Sequence, residues 1–222
     1  MIKYKNLYLI GTSHISKDSV REVEETITKV KPKIVALELD RTRFSLLNSN
    51  VKRRFRLSNI KLLGFKAFLL NLIGAWFEKR LGKKVGTEPG SEMKKAIEIS
   101  RKLNLEIFLI DQDIKQTLNK LLSRISRKEK LNFLKDLLLG KEAYNFNIKK
   151  VPSEKEINKI ICNLKDKYPS FYLTVIKERN EIMAKNLYKL MTAHPNDKIV
   201  CVVGAGHEKA IMGEIKLIEK IS

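Results

Sequence analysis

Near its start the chain reads Leu7-Tyr8-Leu9-Ile10-Gly11-Thr12-Ser13-His14, and near its end it reads Ile199-Val200-Cys201-Val202-Val203-Gly204-Ala205-Gly206-His207. In both stretches a short apolar run typical of a β-strand leads into a glycine, and a histidine follows three residues after it. Glycine permits a sharp turn off a strand, so each histidine can lie over the strand end. Histidine is the commonest metal ligand and the usual proton shuttle near neutral pH. The pattern predicts that the two ends of the chain meet at one site.

Apolar runs predict four buried strands, at residues 7–10, 34–39, 107–110 and 199–203. Between these strands, apolar residues recur at the spacing of α-helices, and Pro32 ends the helix that follows the first strand. A strand–helix–strand unit of this length predicts a parallel pair of strands with a right-handed crossover. We therefore expect an α/β fold with a central, mostly parallel sheet flanked by helices and carrying a helical insertion or lid.

At 222 residues, the chain is long enough for one domain with an insertion. We expect a single domain over residues 1–222, in which residues 44–86 and 114–193 are mostly helical and can form a lid or an insertion. The apolar run at 67–77 is shorter than the roughly 20 residues of a membrane-spanning helix. Three uses stay open for it: a lid, a homodimer contact, or a peripheral contact with an anionic membrane.

The chain is strongly basic, with Lys+Arg 45 against Asp+Glu 25 and a net charge of +20. This charge can serve nucleic acid, an anionic membrane surface or an acidic substrate. The plainer interpretation, which we favour, is a set of solvated lysine-rich helix faces. No aromatic-interleaved RNA signature or zinc-finger spacing is present, so no specific nucleic-acid partner is predicted. Neither Cys162 nor Cys201 has a motif partner and no signal peptide precedes the first strand, which predicts a cytoplasmic location.

Ionisable residues follow every predicted strand, namely His14, then Glu38 and Asp40, then Asp111 and Asp113, and finally His207. Ligands of open parallel sheets bind beyond the carboxyl ends of the strands. Two histidines with one or two carboxylates suit a divalent metal with an open coordination position. Glu38 stands between Leu37 and Leu39, where a buried carboxylate needs a cation, a metal or a raised pKa.

Each of these residues also has a plainer structural interpretation. The histidines can form hydrogen bonds within turns, and the two aspartates after the third strand can cap the next helix. Arg179 beside Glu178 can be an ordinary ion pair on a helix surface, and Arg43 can be solvated. These alternatives stay open on the sequence alone.

Taken together, the motifs resemble the TraB / pheromone-shutdown family, whose wider relatives include the Tiki and GumN proteins. The matching segments follow in order along nearly the whole chain, and they are residues 11–16, 32–40 with Arg43, 86–93 with 96–98, 109–114 with 117–118, 178–180 with 183–184, and 202–207. The resemblance implies an α/β fold and a metal-dependent activity of the peptidase type. It identifies His14, Glu38 and His207 as the site, with Glu92, Glu178 and Arg179 as further candidates.

The first hypothesis is a hydrolase that cleaves a peptide, a related amide or another small-molecule substrate. His14, Glu38 and His207 would bind zinc, manganese or cobalt, and Glu92 would be a fourth ligand or a general base. Arg179 would stabilise the developing oxyanion, and Glu178 would orient Arg179 or a histidine. Further residues expected in the pocket are Gly11, Arg43, Asp111, Asp113 and Gly204.

Other hypotheses remain beside it. Distant erythromycin-esterase-like relatives have a similar layout and can use a histidine base without a metal. The same pocket can belong to a non-catalytic protein that sequesters a peptide or an anion, and the net charge can support nucleic-acid or membrane association. The chain also departs from the family where Gln112 stands between Asp111 and Asp113, since an arginine is usual there. A second arginine, common shortly after Thr117 and Leu118, corresponds to Asn119 or Lys120.

Overall fold

The computed structural model describes residues 1–12, 17–48, 90–139 and 154–221. One sheet of five strands is flanked by helices. In chain order the elements are β1 (Ile2–Tyr4), β2 (Leu7–Thr12), α1 (Lys17–Val30), β3 (Ile34–Leu37), α2 (Arg41–Asn48), α3 (Ser91–Lys102), β4 (Glu106–Leu109), α4 (Ile114–Arg124), α5 (Arg127–Leu139), α6 (Glu154–Lys167), α7 (Pro169–Phe171), a π-helix (Tyr172–Lys177), α8 (Glu178–Ala193), β5 (Ile199–Gly204) and α9 (Glu208–Ile221).

The strand order is β1-β2-β5-β3-β4. Only the short β1 runs antiparallel to its neighbour, and the other pairs are parallel, which confirms the expected α/β class. The first two long strands, β2 and β3, are parallel as expected, but they are not neighbours, because β5 lies between them. All six residues of β5 are buried, as a strand covered on both faces requires, and this strand lies at the centre of the sheet.

The register brings the two glycine turns of the sequence together. Thr12 at the end of β2 pairs with Gly204 at the end of β5, and the Thr12 hydroxyl donates to the carbonyl of Val203 at 3.1 Å. The backbone N–H of Ala205 donates to the carbonyl of Thr12 at 2.8 Å. The beginning and the end of the chain therefore meet at the carboxyl edge of the sheet, although His14 itself lies outside the described residues.

The core has two layers, one on each face of the sheet, since successive strand residues point to opposite faces. On one face Leu9, Ala36 and Cys201 pack with apolar residues of α8 and α9. On the other face Val35 and Val202 pack with apolar residues of α1 and α3. Cys201 is fully buried, as expected for a small apolar residue in a strand.

Much of the expected insertion at 44–86 cannot be compared with the structure. Helix α2 is described up to Asn48, and residues 49–89, including the apolar run at 67–77, lie outside the described residues. In the described parts of 114–193, the segments are α4 to α8 and the π-helix. Across the described ranges, no helix combines the length and apolarity needed to cross a membrane.

Glu129 fixes the helices that lead into α8. Its carboxylate accepts from the backbone N–H of Ser126 at 2.8 Å, while the N–H of Glu129 donates to the Ser126 hydroxyl at 3.1 Å, which forms a capping box at the start of α5. The same carboxylate accepts from the N–H of Ser170 at 2.7 Å and from its hydroxyl at 2.8 Å. This buried side chain therefore joins α5 to α7, immediately before the π-helix.

We expect Glu129→Ala to lower the free energy of unfolding by about 2–3 kcal/mol, because it leaves buried donors of Ser126 and Ser170 without their charged acceptor. Urea unfolding at pH 7 measures the change. The exposed Glu181, which pairs with Lys177, supplies the control Glu181→Ala, for which the change should stay within about 0.5 kcal/mol.

The same side chain predicts a pH dependence. Burial raises the pKa of Glu129, but the hydrogen bonds from Ser126 and Ser170 outweigh burial and hold the pKa below its ordinary value. Its contribution to stability is therefore present above the unfolded pKa of about 4.3 and is lost as the pH falls through the folded pKa. The stability difference between wild type and Glu129→Gln should shrink as the pH is lowered from 7 to about 3. A difference that stays constant would contradict this assignment.

Candidate functional site

Glu38 occupies the first position after β3 and is only 6% exposed. Its backbone N–H donates to the carbonyl of Val202 at 3.1 Å, which continues the pairing with β5. One carboxylate oxygen, Oε2, accepts from the backbone N–H of Gly204 at 2.7 Å. The other, Oε1, accepts from Nη2 of Arg179 at 2.7 Å. The buried carboxylate thus has the cation that its apolar sequence context requires, and that cation is a guanidinium.

Arg179 lies in the first turn of α8 and bridges two acidic residues. Its Nε donates to Oδ1 of Asp111 at 3.1 Å, its Nη2 donates to both Asp111 and Glu38, and its Nη1 donates to the carbonyl of Val175 at 3.2 Å. Val175 belongs to the π-helix Tyr172–Lys177, and such segments are frequent at functional sites. Burial lowers the pKa of Arg179, but the hydrogen bonds with Asp111 and the charge of Glu38 outweigh burial and keep the guanidinium charged.

The pairing extends from Arg179 to α2. Asp111, whose side chain is fully buried, accepts from Nη2 of Arg43 as well as from Arg179. Arg43 also donates from Nε to Asp40 at 2.7 Å and from its backbone N–H to the same carboxylate at 2.9 Å. We call the series Glu38–Arg179–Asp111–Arg43–Asp40 the ion-pair chain. Burial raises the pKa of Asp40, but the hydrogen bonds from Arg43 outweigh burial and hold it below the ordinary value.

His207 stands beside the first member of the ion-pair chain. Its Nδ1 lies 2.5 Å from Oδ1 of Asn180, and its Nε2 lies 3.5 Å from Oε1 of Glu38. The backbone N–H of His207 donates to the carbonyl of Gly204 at 2.8 Å, so the glycine turn holds the ring over the end of β5. With the Asn180 carbonyl as acceptor, Nδ1 carries the hydrogen and Nε2 faces the carboxylate.

Among the described residues, the ion-pair chain contains three carboxylates and two guanidiniums, which leaves one formal negative charge. An adjacent negative charge favours the protonated form of an imidazole and also favours a bound cation. The balance among the described groups therefore favours a positive ion beside Glu38.

The structure brings together six of the residues predicted from the sequence, which are Glu38, Arg43, Asp111, Arg179, Gly204 and His207. Gly11 lies close by, and a Cβ there would approach Oε2 of Glu208 to 2.6 Å and the Cα of Ala205 to 3.1 Å. Glycine at this position thus allows β2 to lie against the turn that carries His207. Glu92 is buried in the first turn of α3.

Two predicted residues have other surroundings. The Asp113 carboxylate accepts from the backbone N–H of Lys115 at 2.6 Å and caps α4, which is the plainer role considered for it. Glu178 forms ion pairs with Arg124 and with Lys120, whose Nζ lies 3.4 Å away. These two partners on α4 differ from the predicted role of orienting Arg179 or a histidine. Burial raises the pKa of Glu178, but its hydrogen bonds with Arg124 and Lys120 outweigh burial and lower it.

Asn180 is the contact residue that the sequence argument passed over as a candidate. A signal for it was present, because Asn180 falls on the same helix face as Met183, Ala184 and Leu187, all of which are buried. A polar side chain within an apolar helix face needs a hydrogen-bond partner, and His207 supplies one.

The predicted metal can be tested against the residues present. Nε2 of His207 and Oε1 of Glu38 are 3.5 Å apart, near the separation of about 3.4 Å between two ligands at about 2.1 Å in a tetrahedral site. Within the described ranges, no group of three or more His, Cys, Asp or Glu side chains is arranged to hold a metal. Glu38 and His207 therefore fit a metal as two of its ligands, and a third ligand must come from outside the described residues, where His14 lies.

Comparisons with known proteins agree with the family expected from the motifs. The model of the TraB/PrgY/gumN family matches residues 3–221. An uncharacterized protein of Methanocaldococcus jannaschii is 40% identical over 96% of this chain and 54% of its own length. TraB domain-containing proteins of Bos taurus and Homo sapiens are 23% and 24% identical over 92% of this chain and 61% of their own lengths. The chain thus spans little more than half the length of these curated relatives.

A solved structure of ChaN from Campylobacter jejuni, described as showing cofacial heme binding, is similar at a TM-score of 0.43 and 11% identity. That match covers 96% of this chain and 77% of ChaN. The family assignment depends instead on the match to the family model, which takes in nearly every residue. This chain belongs to the TraB/PrgY/gumN family.

Proposed function

We propose that this chain is a hydrolase that cleaves a peptide or a related amide with a water molecule activated beside Glu38 and His207. One observation carries the proposal: His207 is held through Nδ1 by Asn180 and presents Nε2 to the carboxylate of Glu38. A carboxylate, an imidazole and an anchoring group in this order are the components of general acid–base catalysis.

In the proposed reaction His207 is the general base. With the hydrogen on Nδ1 directed to Asn180, the lone pair of Nε2 can accept a proton from water as the oxygen attacks the substrate carbonyl. The imidazolium that forms is stabilised by the adjacent carboxylate of Glu38. The proton then passes from Nε2 to the leaving nitrogen, which departs as an amine and leaves His207 neutral.

A divalent metal such as zinc, manganese or cobalt, held by Glu38, His207 and His14, would supply a water of lowered pKa and would polarise the carbonyl when bound. With a metal at Nε2 of His207, Asn180 would still orient the imidazole ring through its hydrogen bond with Nδ1. Glu92, buried on α3, is the further candidate for a ligand or a general base.

Arg179 has a positioning role in this proposal. Its Nε, Nη1 and Nη2 all donate to protein acceptors, and the guanidinium lies between two carboxylates that neutralise it. Because its N–H groups already donate to the protein, the guanidinium is suited to holding Glu38 in place and less suited to stabilising an oxyanion of the substrate. The oxyanion role suggested by the sequence would need N–H groups directed at the substrate.

We expect His207→Gln to lower kcat/KM for a cleaved peptide by about 100-fold or more, because general acid–base groups contribute about 10²–10⁴. Cleavage of a peptide library, followed by mass spectrometry with and without added metals, identifies the substrate for this comparison. His194, which lies beside Asp197 after α8, supplies the control His194→Gln, whose kcat/KM should stay within about 3-fold of wild type.

Two outcomes would contradict the hydrolase proposal. One is equal activity of wild type and His207→Gln. The other is saturable peptide binding by wild type with no turnover under any metal condition, which would favour the non-catalytic sequestering protein.

Metal content tests the ligand set without reference to activity. We expect purified protein, loaded with Zn²⁺ or Mn²⁺ and dialysed, to retain metal that His207→Ala and His14→Ala each retain less well, because each loses one nitrogen ligand. Mass spectrometry of the elements measures the retained metal per chain, with His194→Ala as the control. Equal retention by all four proteins would remove these histidines from the ligand set.

We expect Arg179→Met to lower the free energy of unfolding by about 3–5 kcal/mol, because it leaves Glu38 and Asp111 buried without their shared cation. The exposed Lys177 allows the control Lys177→Met, which should change stability by less than about 0.5 kcal/mol. Urea unfolding at pH 7 measures both. A similar small change for the two variants would show that Arg179 does not hold the carboxylates in place.

A further inference from the structure

Gln112 follows Asp111 at the carboxyl end of β4 and is 8% exposed. Both polar atoms of its side chain, Oε1 and Nε2, are buried and have no hydrogen-bond partner among the described residues. The neighbouring side chains differ in this respect, since Asp111 binds two arginines and Asp113 caps α4. In the described part of the chain, a buried carboxamide without a partner therefore stands between two carboxylates that have partners.

An unmatched carboxamide in a buried position is costly, because it loses its hydrogen bonds to water and gains none in return. Nearly all buried polar groups in folded proteins are paired, and the exceptions need an explanation. A methionine of similar length would fill the same space without that cost. The position of Gln112 therefore favours a partner that arrives from outside the protein.

Gln112 is attached directly to the ion-pair chain. Its backbone N–H donates to Oδ1 of Asp111 at 2.8 Å, and the same oxygen accepts from Nε of Arg179 at 3.1 Å. Arg179 in turn holds the carboxylate of Glu38. The side chain of Gln112 thus lies at the carboxyl edge of the sheet, where ligands of parallel sheets bind. It follows directly after Asp111, the central member of the ion-pair chain.

A carboxamide offers one carbonyl acceptor and an NH₂ donor in a single plane. One residue of an extended peptide offers the complementary pair, because its backbone N–H and C=O point to the same side, so Oε1 can accept from the N–H while Nε2 donates to the C=O. An anionic group would satisfy only the donor and would also meet the surplus negative charge of the ion-pair chain. The backbone of one residue in a neutral peptide therefore matches both atoms of the carboxamide.

We propose that Gln112 is a substrate-specificity residue that binds the backbone N–H and C=O of one residue of a peptide ligand through two hydrogen bonds. The inference deepens the proposed hydrolase function, since it assigns the part of a peptide substrate that this site recognises. It concerns binding, and binding can be measured separately from turnover.

The test uses the full chain with Gln112→Met and the control Gln116→Met, which changes an exposed glutamine on α4. Calorimetric titration measures the affinity for N-acetyl-glycyl-glycine amide and for its analogue in which an ester oxygen replaces the central N–H. We expect wild type and Gln116→Met to bind the amide about 10-fold more tightly than the ester. We expect Gln112→Met to bind the amide about 10-fold more weakly and to lose the preference.

Urea unfolding supplies the second readout. If the carboxamide of Gln112 binds a ligand and has no partner within the protein, Gln112→Met should unfold at the same urea concentration as wild type or at a higher one. The reason is that the variant removes a buried polar group without a hydrogen bond. A lower midpoint would show that the amide has a structural partner, such as a buried water, and would overturn the proposal.

An equal affinity of wild type for the amide and the ester, or no binding of the amide, would also overturn it. Binding with the expected preference but without hydrolysis would instead remove only the hydrolase proposal and leave the role of Gln112 standing.

Discussion

The site depends on one largely buried guanidinium. Arg179 of α8 joins Glu38, which follows β3, to Asp111, which follows β4. Each of these carboxylates also makes a second contact, Glu38 with the backbone of Gly204 and Asp111 with Arg43. A charge buried without a partner is strongly destabilising, so the strand ends and the helix must keep their relative positions. The interaction that satisfies the acidic residues thus also fixes the geometry of the site.

The sheet order explains why residues so distant in sequence can share this cluster. Because β5 lies between β2 and β3, the turn that begins at Gly204 has the end of β2 on one side and Glu38 on the other. His207 lies in that turn and contacts Glu38. Asn180 contacts His207 from α8, which packs on one face of the sheet. A sheet in which β2 and β3 were direct neighbours would separate these contacts by a strand. The central position of the last strand is therefore what makes a shared site possible.

Much of this arrangement could be predicted because it follows from local patterns. The apolar runs revealed the four parallel strands. A carboxylate between two leucines required a cation, a metal or a raised pKa, and in the structure Glu38 forms an ion pair with Arg179. The order of the strands could not be read in the same way, since hydrophobic periodicity does not state which strands are neighbours. Three-residue β1 was too short to show any period.

The same distinction between local pattern and tertiary packing applies to the site residues. Buried or strand-terminal position was visible in the sequence for Glu38, Asp111 and His207, and the structure joins all three to one cluster. The partner of Glu178 was not visible, because adjacent residues on a helix point in different directions and Glu178 meets α4 while Arg179 meets the sheet edge. Pairing across helices is set by their packing, which the spacing within one helix does not contain.

The charge of the site is opposite in sign to the charge of the chain. The whole chain carries a net charge of +20, whereas the ion-pair chain keeps one formal negative charge after its two arginines are counted. The long-range field of a basic protein attracts anions to its surface, but the field within a buried cluster is dominated by the groups in contact with it. The charges of the described residues disfavour an anionic group beside Glu38 and favour a positive ion. The net charge of the chain therefore governs which molecules are attracted to its surface, whereas the local charge of the ion-pair chain governs which groups can bind beside Glu38. That local charge depends on the carboxylates that Arg179 holds together.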